Sequence, residues 1–165
     1  VLAIRNIAND HAEDDIVATV GNLKVYPGAM NVVPGKVELW VDLRGTDYEY
    51  IVESLQEIKD AALSIAEEYE TPVTIEMLSA DKPVAMDDDL VALAEKAADE
   101  VGVEWMRAVS GAGHDAMNMA KITAAGMLFV RSRDGVSHHP DEYAAPEDIE
   151  AGVQVLTAML RRLLA

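Results

Sequence analysis

In this 165-residue chain, two segments with the hydrophobic period of a strand are followed by one with the period of a helix, and this order limits the folds that the chain can form. Residues 16–26 and 36–44 are candidate strands, and the second has the clearer pattern. In it, the apolar residues at positions 37, 39, 41 and 43 alternate with side chains that end at Arg44 on the opposite face. A period of two predicts a strand with one buried face.

A long amphipathic helix is predicted after these two strands. Between Tyr48 and Glu70, apolar residues recur at steps of three and four, which places them in one stripe: Ile51, Leu55, Ile58, Ala62, Ile65 and Tyr69. Residues 71–78 then return to alternation. Two strands, a helix and a further strand predict a small α+β layer, with an antiparallel sheet and helices on one face.

The pattern is interrupted around residues 80–89. Lys82-Pro83 ends the predicted strand, and the three aspartates at 87–89 offer an N-cap for a new helix and favourable partners for its dipole. We therefore predict a domain boundary at this point, which gives domains of residues 1–82 and 83–165.

The second domain alternates helices with strands. We predict a helix at 88–100, a strand at 104–109, a short helix at 115–122, a buried strand at 127–130 and a last helix from Pro146. The apolar stripe of the last helix is predicted to face a core: Ile149, Val153, Leu156, Leu160 and Leu163. This order predicts a parallel α/β layer, a fold class that binds ligands in the loops after its strands.

Composition excludes several classes of function. The chain has no cysteine, so it has no disulfide framework or thiol nucleophile, and a metal would need His, Asp and Glu ligands. A net charge of −17 repels nucleic acid phosphates and anionic membranes. No run approaches the roughly 20 apolar residues of a membrane span, and no secretory signal pattern opens the chain. We expect a cytoplasmic protein without nucleic acid or membrane partners.

Two short segments place histidines where an imidazole can face a ligand. One reads Ser110-Gly111-Ala112-Gly113-His114-Asp115-Ala116, and the other reads Ser137-His138-His139-Pro140-Asp141-Glu142. A structural explanation exists for each. The glycines of the first segment can shape a tight turn in which His114 only begins a helix. His138 can be a loop histidine with its ring in solvent.

Three strings in the chain resemble one enzyme family. They are Asn31-Val32-Val33-Pro34-Gly35 with Val41-Asp42-Leu43-Arg44, then Gly111-Ala112-Gly113-His114-Asp115-Ala116, then Ser132-Arg133-Asp134-Gly135-Val136-Ser137-His138-His139-Pro140-Asp141-Glu142-Tyr143. Together they resemble the N-carbamoyl-L-amino-acid hydrolases, β-alanine synthases and allantoate amidohydrolases. These are amidases of the aminoacylase-like metallopeptidase clan, with two zinc ions, or manganese, nickel or cobalt. The resemblance runs along essentially the whole chain.

The resemblance implies a role for each matching residue. His138 corresponds to a metal ligand, and His139 is then a bystander. His114 corresponds to a histidine that binds the substrate and stabilises the oxyanion of the tetrahedral intermediate, with Asp115 orienting it or capping the helix. Gly113 is a substrate-binding position of the same segment. Without the resemblance, the adjacent histidines at 138 and 139 could not be told apart by chemistry.

Asn31 and Arg44 match residues that bind the carboxylate and neighbouring polar atoms of the substrate. Arginine offers a planar fork that suits the carboxylate of an N-carbamoyl amino acid. The alternative from the residues alone is a turn asparagine before Pro34-Gly35 and a surface arginine paired with Asp42.

The resemblance also implies an organisation. Residues 1–82 correspond to most of a lid or dimerisation domain, and residues 83–165 to the end of an α/β zinc-hydrolase domain. The remaining metal ligands and the general base of the family belong to an upstream portion that this sequence does not contain. We therefore expect negligible amidase activity and weak metal retention from this chain by itself, and a homodimer. A non-catalytic dimerisation or binding module is the alternative.

Overall fold

The computed structural model describes residues 1–164 and contains two strands and five helices. Their bounds are α1 Leu2–Asp10, β1 Val17–Tyr26, β2 Lys36–Arg44, α2 Tyr48–Glu68, α3 Asp88–Val101, α4 Asp115–Met119 and α5 Pro146–Leu163. Short 3₁₀ turns occur at Ala12–Asp14 and Arg133–Gly135. The chain divides into two compact units, with unit 1 covering Val1–Pro83 and unit 2 beginning at Val84. No helix in the described part is long and apolar enough to cross a bilayer.

An antiparallel hairpin forms the sheet of unit 1. Its ladder runs from the pair Val17 and Arg44 to the pair Tyr26 and Lys36. Gly21 has no partner opposite it, because the register shifts between Val20 and Asn22, as in a β-bulge. The predicted strands are confirmed. Their apolar side chains are nevertheless largely exposed, with Leu39 at 44%.

Helix α2 begins where Asp47 caps it. The Asp47 carboxylate accepts a hydrogen bond of 2.7 Å from the backbone N–H of Glu49. The stripe predicted to be apolar is half-buried along the first four turns, whereas Ile65 and Tyr69 near its end are exposed. The most buried residue of the helix is Ser54, whose hydroxyl has no hydrogen-bond partner among the described residues.

Two small residues bring α3 and α5 together in the core of unit 2. Ala97 and Ala98 of α3 pack with Val155, Ala158 and Met159 of α5. Asp87 caps the start of α3 by accepting a 3.0 Å hydrogen bond from the N–H of Leu90. At its other end, Gly102 has a φ of +71°, and the N–H of Val103 donates to the carbonyl of Ala98. This left-handed turn is a Schellman motif, and it directs the chain out of the helix.

Three predicted strands are wrong as strands. The structure assigns neither helix nor strand to residues 71–78, 104–109 and 127–130. Their alternating or apolar patterns suit a pleated surface, but a strand also requires a neighbour that accepts and donates its ladder hydrogen bonds. Within residues 1–164, only β1 and β2 find such a neighbour, in each other.

The predicted orientation of α5 is also wrong. The stripe assigned to the core is exposed, with fractions from 48% at Ile149 to 57% at Val153. Helix α5 is apolar on more than one side, and α3 packs on the side that carries the buried residues Ala158 and Met159. Periodicity identifies an apolar stripe, but it does not choose between two apolar sides of one helix.

His11 joins the turn after α1 to helix α2. Its Nδ1 atom lies 3.2 Å from Asp14 Oδ2, and its Nε2 atom lies 3.2 Å from Glu57 Oε1. Both ring nitrogens can donate to carboxylates only when the imidazole is protonated. The hydrogen bonds with Asp14 and then Glu57 accordingly raise the pKa of His11 above its ordinary value of 6.5.

We predict that this contact stabilises unit 1 at acid pH and that the stabilisation is lost as pH rises. A raised folded-state pKa contributes stability that is complete below the unfolded pKa and is lost as pH rises through the folded pKa. The difference in unfolding free energy between the wild type and His11→Gln should therefore be largest at acid pH and shrink above about pH 6.5. Hydrogen exchange of unit 1 amides at several pH values measures it, and a difference independent of pH would contradict the prediction.

Candidate functional site

The turn before α4 positions His114. The Ser110 hydroxyl oxygen lies 3.2 Å from the backbone N–H nitrogen of Ala112, which donates to it, and 3.3 Å from the Ala112 carbonyl. His114 is the N-cap residue of α4, with extended backbone, and its carbonyl accepts a 2.9 Å hydrogen bond from the N–H of Met117. Its side chain does not cap the helix, so the ring is available for other contacts.

Two contacts hold the half-buried ring of His114. Its Nε2 atom lies 2.6 Å from the Ser110 hydroxyl oxygen. The ring also packs against the Phe129 ring in an edge-to-face pair, with 5.8 Å between centroids and 61° between planes. Among residues 1–164, no residue forms a hydrogen bond with Nδ1. The ring therefore offers one nitrogen to a ligand.

Sequence reasoning did not assign Ser110 or Phe129 to this site. Ser110 lies in the glycine-rich motif, and its position four residues before the histidine is the one sequence signal for it. For Phe129, the sequence predicts only a place in a buried strand. Asp115, which the resemblance offered as an orienting or capping residue, is the exposed first residue of α4, and the ring hydrogen bond goes to Ser110.

Neither positive φ nor a Cβ clash with the described residues explains the glycines of this turn. Gly111 and Gly113 are not among the residues with positive φ. A Cβ atom on Gly111 would meet nothing within 4 Å, and one on Gly113 would lie at an ordinary 3.9 Å from the Met117 sulfur. A glycine at such a position also allows another molecule to approach the backbone closely.

A closed loop carries the second histidine motif. The backbone N–H of Arg133 donates to the Tyr143 carbonyl at 2.8 Å, and the Arg133 guanidinium lies over the Tyr143 ring at 5.1 Å. Inside this closure, the Ser132 hydroxyl donates to the carbonyl of Val136 at 2.6 Å. The two ends of the loop are thus fixed to each other, as in an Ω-loop.

The two adjacent histidines of this loop differ. His138 has a φ of +56°, and its backbone N–H donates to the Glu142 carboxylate at 3.0 Å. Its ring forms no hydrogen bond with residues 1–164. The ring of His139 is engaged within the loop, because its Nδ1 accepts a 3.2 Å hydrogen bond from the N–H of Asp141. Both ring nitrogens of His138 are consequently open to a ligand, whereas only one nitrogen of His139 is.

Residues 1–164 contain no group of three or more His, Asp or Glu side chains arranged to hold a metal ion. His138 is one imidazole, and structural or catalytic zinc sites use three or four protein ligands. The described residues by themselves therefore do not fit a metal centre.

Asn31 and Arg44 belong to the hairpin of unit 1. Asn31 is exposed in the loop that joins β1 to β2, which is closed by a 2.9 Å hydrogen bond from the N–H of Gly35 to the Tyr26 carbonyl. Arg44 ends β2 with its side chain 51% exposed and forms an ion pair with Asp42. The candidate residues thus occupy three places: this hairpin, the turn before α4, and the loop of His138.

Comparison with known proteins identifies the family. Residues 4–162 match peptidase family M20/M25/M40. The N-carbamoyl-L-amino acid amidohydrolase of Geobacillus stearothermophilus is 41% identical over 140 residues, covering 85% of this chain and 34% of that protein. The ureidoglycolate hydrolase of Oryza sativa is 32% identical over 163 residues, covering 98% and 34%. The allantoate amidohydrolase of Bacillus subtilis is 35% identical over 158 residues, covering 95% and 38%.

A solved structure shares the fold. The amidase of the hydantoinase/carbamoylase family from Burkholderia vietnamiensis has a TM-score of 0.89 and 38% identity, covering 96% of this chain and 38% of that one. The chain thus spans about a third of the length of the relatives it matches. Amidohydrolases of this family are generally metal-dependent. With a match along almost its whole length, the chain belongs to peptidase family M20/M25/M40.

Proposed function

We propose that this chain acts as part of an amidohydrolase that hydrolyses linear carbon–nitrogen bonds, with N-carbamoyl-L-amino acids as substrates. The observation that carries the proposal is the turn before α4. It presents a half-buried imidazole with one unpaired nitrogen beside two glycines that neither backbone conformation nor packing requires. Such a turn lets a small substrate approach the backbone while a ring N–H points at it.

The chemistry of amide hydrolysis gives His114 its role. Attack on the carbamoyl carbon moves negative charge onto the carbonyl oxygen, and a prearranged donor aimed at that oxygen lowers the barrier. An N–H on the unpaired Nδ1 of His114 is such a donor. Gly113, adjacent to it, allows the substrate to lie against the backbone. Asp115 contributes a negative charge at the N-terminus of α4, where it favours the helix.

Arg44 supplies selectivity for the substrate carboxylate in this proposal. Arg44 forms an ion pair with Asp42, and a guanidinium presents its five N–H donors in a planar fork that matches a carboxylate. Asp42 then holds the Arg44 side chain in place, and Asn31 provides amide groups for the polar atoms next to the carboxylate. These roles are inferred from the resemblance and from the exposure of both side chains.

His138 is proposed as one ligand of a divalent metal whose other ligands lie outside residues 1–164. The open imidazole supports the assignment, and a zinc, manganese, nickel or cobalt ion would supply Lewis-acid chemistry when bound. The positive φ of His138, held by the Glu142 carboxylate, is a backbone conformation that histidine adopts more readily than most residues. We also propose a homodimer in the cytoplasm.

Two other functions have specific support. The allantoate amidohydrolase and ureidoglycolate hydrolase relatives support a ureido substrate other than an N-carbamoyl amino acid. A binding or dimerisation module without catalysis is tested beside them. The following experiment separates these three functions.

We predict that a chimera hydrolyses N-carbamoyl-L-amino acids. In it, this chain replaces the matching third of the Geobacillus stearothermophilus amidohydrolase. Release of the free amino acid is measured alongside turnover of allantoate and ureidoglycolate, with the parent enzyme and this chain alone as controls. This chain alone should be inactive. Faster hydrolysis of allantoate or ureidoglycolate would reassign the substrate, and a folded, metal-loaded chimera without any hydrolysis would favour the binding module.

We predict that His114→Ala lowers kcat of the chimera about 10²–10³-fold, as is typical when one oxyanion donor is removed. Metal content should be unchanged, because His114 is not proposed as a ligand. His139→Ala is the matched control, since it removes an imidazole from unit 2 without an assigned role. Equal activity of the two variants would remove His114 from the reaction.

We predict that His138→Ala depletes the metal of the chimera and that His139→Ala does not. The reason is that the His138 ring is open, whereas Nδ1 of His139 is engaged by the backbone of its own loop. Metal per protein, measured by mass spectrometry after dialysis, distinguishes them. Normal loading in the His138 variant with loss in the His139 variant would reverse the ligand assignment.

A further inference from the structure

We propose that Ser110 is a positioning residue that fixes the tautomer of His114. In this arrangement the Ser110 hydroxyl donates its hydrogen to Nε2, so the neutral imidazole carries its own hydrogen on Nδ1. The inference about tautomer stands on the geometry of the turn, and its value for catalysis rests on the proposed function. It assigns a task to a residue that the sequence motif contained without a role.

The distances around the hydroxyl decide where its single hydrogen goes. The Ser110 oxygen accepts the N–H of Ala112 at 3.2 Å, which uses one lone pair. Its hydrogen then has two possible acceptors, His114 Nε2 at 2.6 Å and the Ala112 carbonyl at 3.3 Å. The second distance exceeds the 2.5–3.0 Å range of normal O–H···O hydrogen bonds. The hydrogen therefore goes to the imidazole nitrogen.

The opposite arrangement has the ring donating from Nε2–H. It would direct both the Ala112 N–H and the ring N–H to the hydroxyl oxygen and leave the hydroxyl hydrogen with the distant carbonyl. The Nδ1 atom would then be an acceptor, which repels an oxyanion. The two arrangements thus predict opposite behaviour at the nitrogen that faces a ligand.

Packing keeps Nε2 on the Ser110 side of the ring. The edge contact with Phe129 and the half-buried position of the His114 ring oppose a flip that would exchange its edges. Phe129 and Ser110 have different effects on the ring. Phe129 restrains the plane of the ring, and Ser110 selects which nitrogen holds the hydrogen. A neutral ring then presents a donor without having to gain a proton first.

Nitrogen NMR of this chain tests the tautomer directly. Histidine ring ¹⁵N shifts and their couplings to ring hydrogens are recorded at a pH where the imidazoles are neutral, and the four histidines are assigned with His114→Gln and the other single variants. The wild type should show a protonated Nδ1 and a hydrogen-bonded, unprotonated Nε2 at His114. Ser110→Ala should move His114 to a tautomer mixture, while Ser110→Thr, which keeps the hydroxyl, should preserve the wild-type pattern.

The outcomes separate this inference from the proposed function. A wild-type His114 with hydrogen on Nε2, or a Ser110→Ala spectrum identical to the wild type, overturns the tautomer assignment whether or not the chimera is active. The wild-type measurement stands even if the Ser110→Ala variant does not fold. The predicted tautomers with an inactive chimera would instead leave the assignment in place and remove the proposed function.

In an active chimera, Ser110→Ala should lower kcat about two- to tenfold, because only part of the enzyme then carries the donor tautomer. KM should change little, and Ser110→Thr should restore kcat. A purely structural role would not give this rescue together with the tautomer shift. Equal kcat values for the alanine variant and the wild type would overturn the catalytic part of the inference.

Discussion

The packing of α3 on α5 is the interaction on which unit 2 depends. Alanines at 97 and 98 leave room for Ala158 and Met159 of the other helix, so the two backbones approach closely. The surrounding chain is attached to this pair. The N–H of Asp87, the cap of α3, donates to the Ala125 carbonyl at 2.9 Å. The helices therefore fix where the extended segment after residue 125 begins.

Gly152 of α5 links this helix pair to the segment that contacts His114. A Cβ atom on Gly152 of α5 would lie 2.6 Å from a methyl group of Val130, so the glycine lets the extended segment lie directly on the helix. Phe129, the neighbour of Val130, then contacts the ring of His114. The orientation of that imidazole is thus a consequence of core packing as well as of its own turn.

Local signals predict four of the five helices that the structure describes, and its hairpin. The predicted helix at 88–100 is α3 at Asp88–Val101, and the predicted strand at 36–44 is β2. An N-cap aspartate and a sequence period are properties of neighbouring residues, so a single sequence contains them. The strand predictions at 71–78, 104–109 and 127–130 are wrong because a strand pairs with a segment distant in sequence, and a sequence period does not identify that partner. The predicted orientation of α5 is wrong for a related reason, since the predicted stripe is apolar but α3 packs on the side of Ala158 and Met159.

The candidate site divides in the same way. The Gly-His and Ser-His motifs predict His114 and His138 as site residues, because those residue types at turns are a local signal. The role of Ser110 required the distances of an irregular turn, which have no repeat in the sequence. The resemblance predicts His138 over His139, and the structure adds that the loop backbone engages Nδ1 of His139. The domain assignment of residues 1–82 and 83–165 and the role of each site residue stay predictions.

The two histidines depend on different parts of unit 2. His114 depends on Phe129 and through it on the segment that lies against α5, so its geometry responds to the helix core. His138 depends on a loop whose ends are closed by Arg133 and Tyr143, and on the Glu142 carboxylate that holds its backbone. A change in the core therefore reorients the proposed oxyanion donor and leaves the proposed metal ligand in its loop.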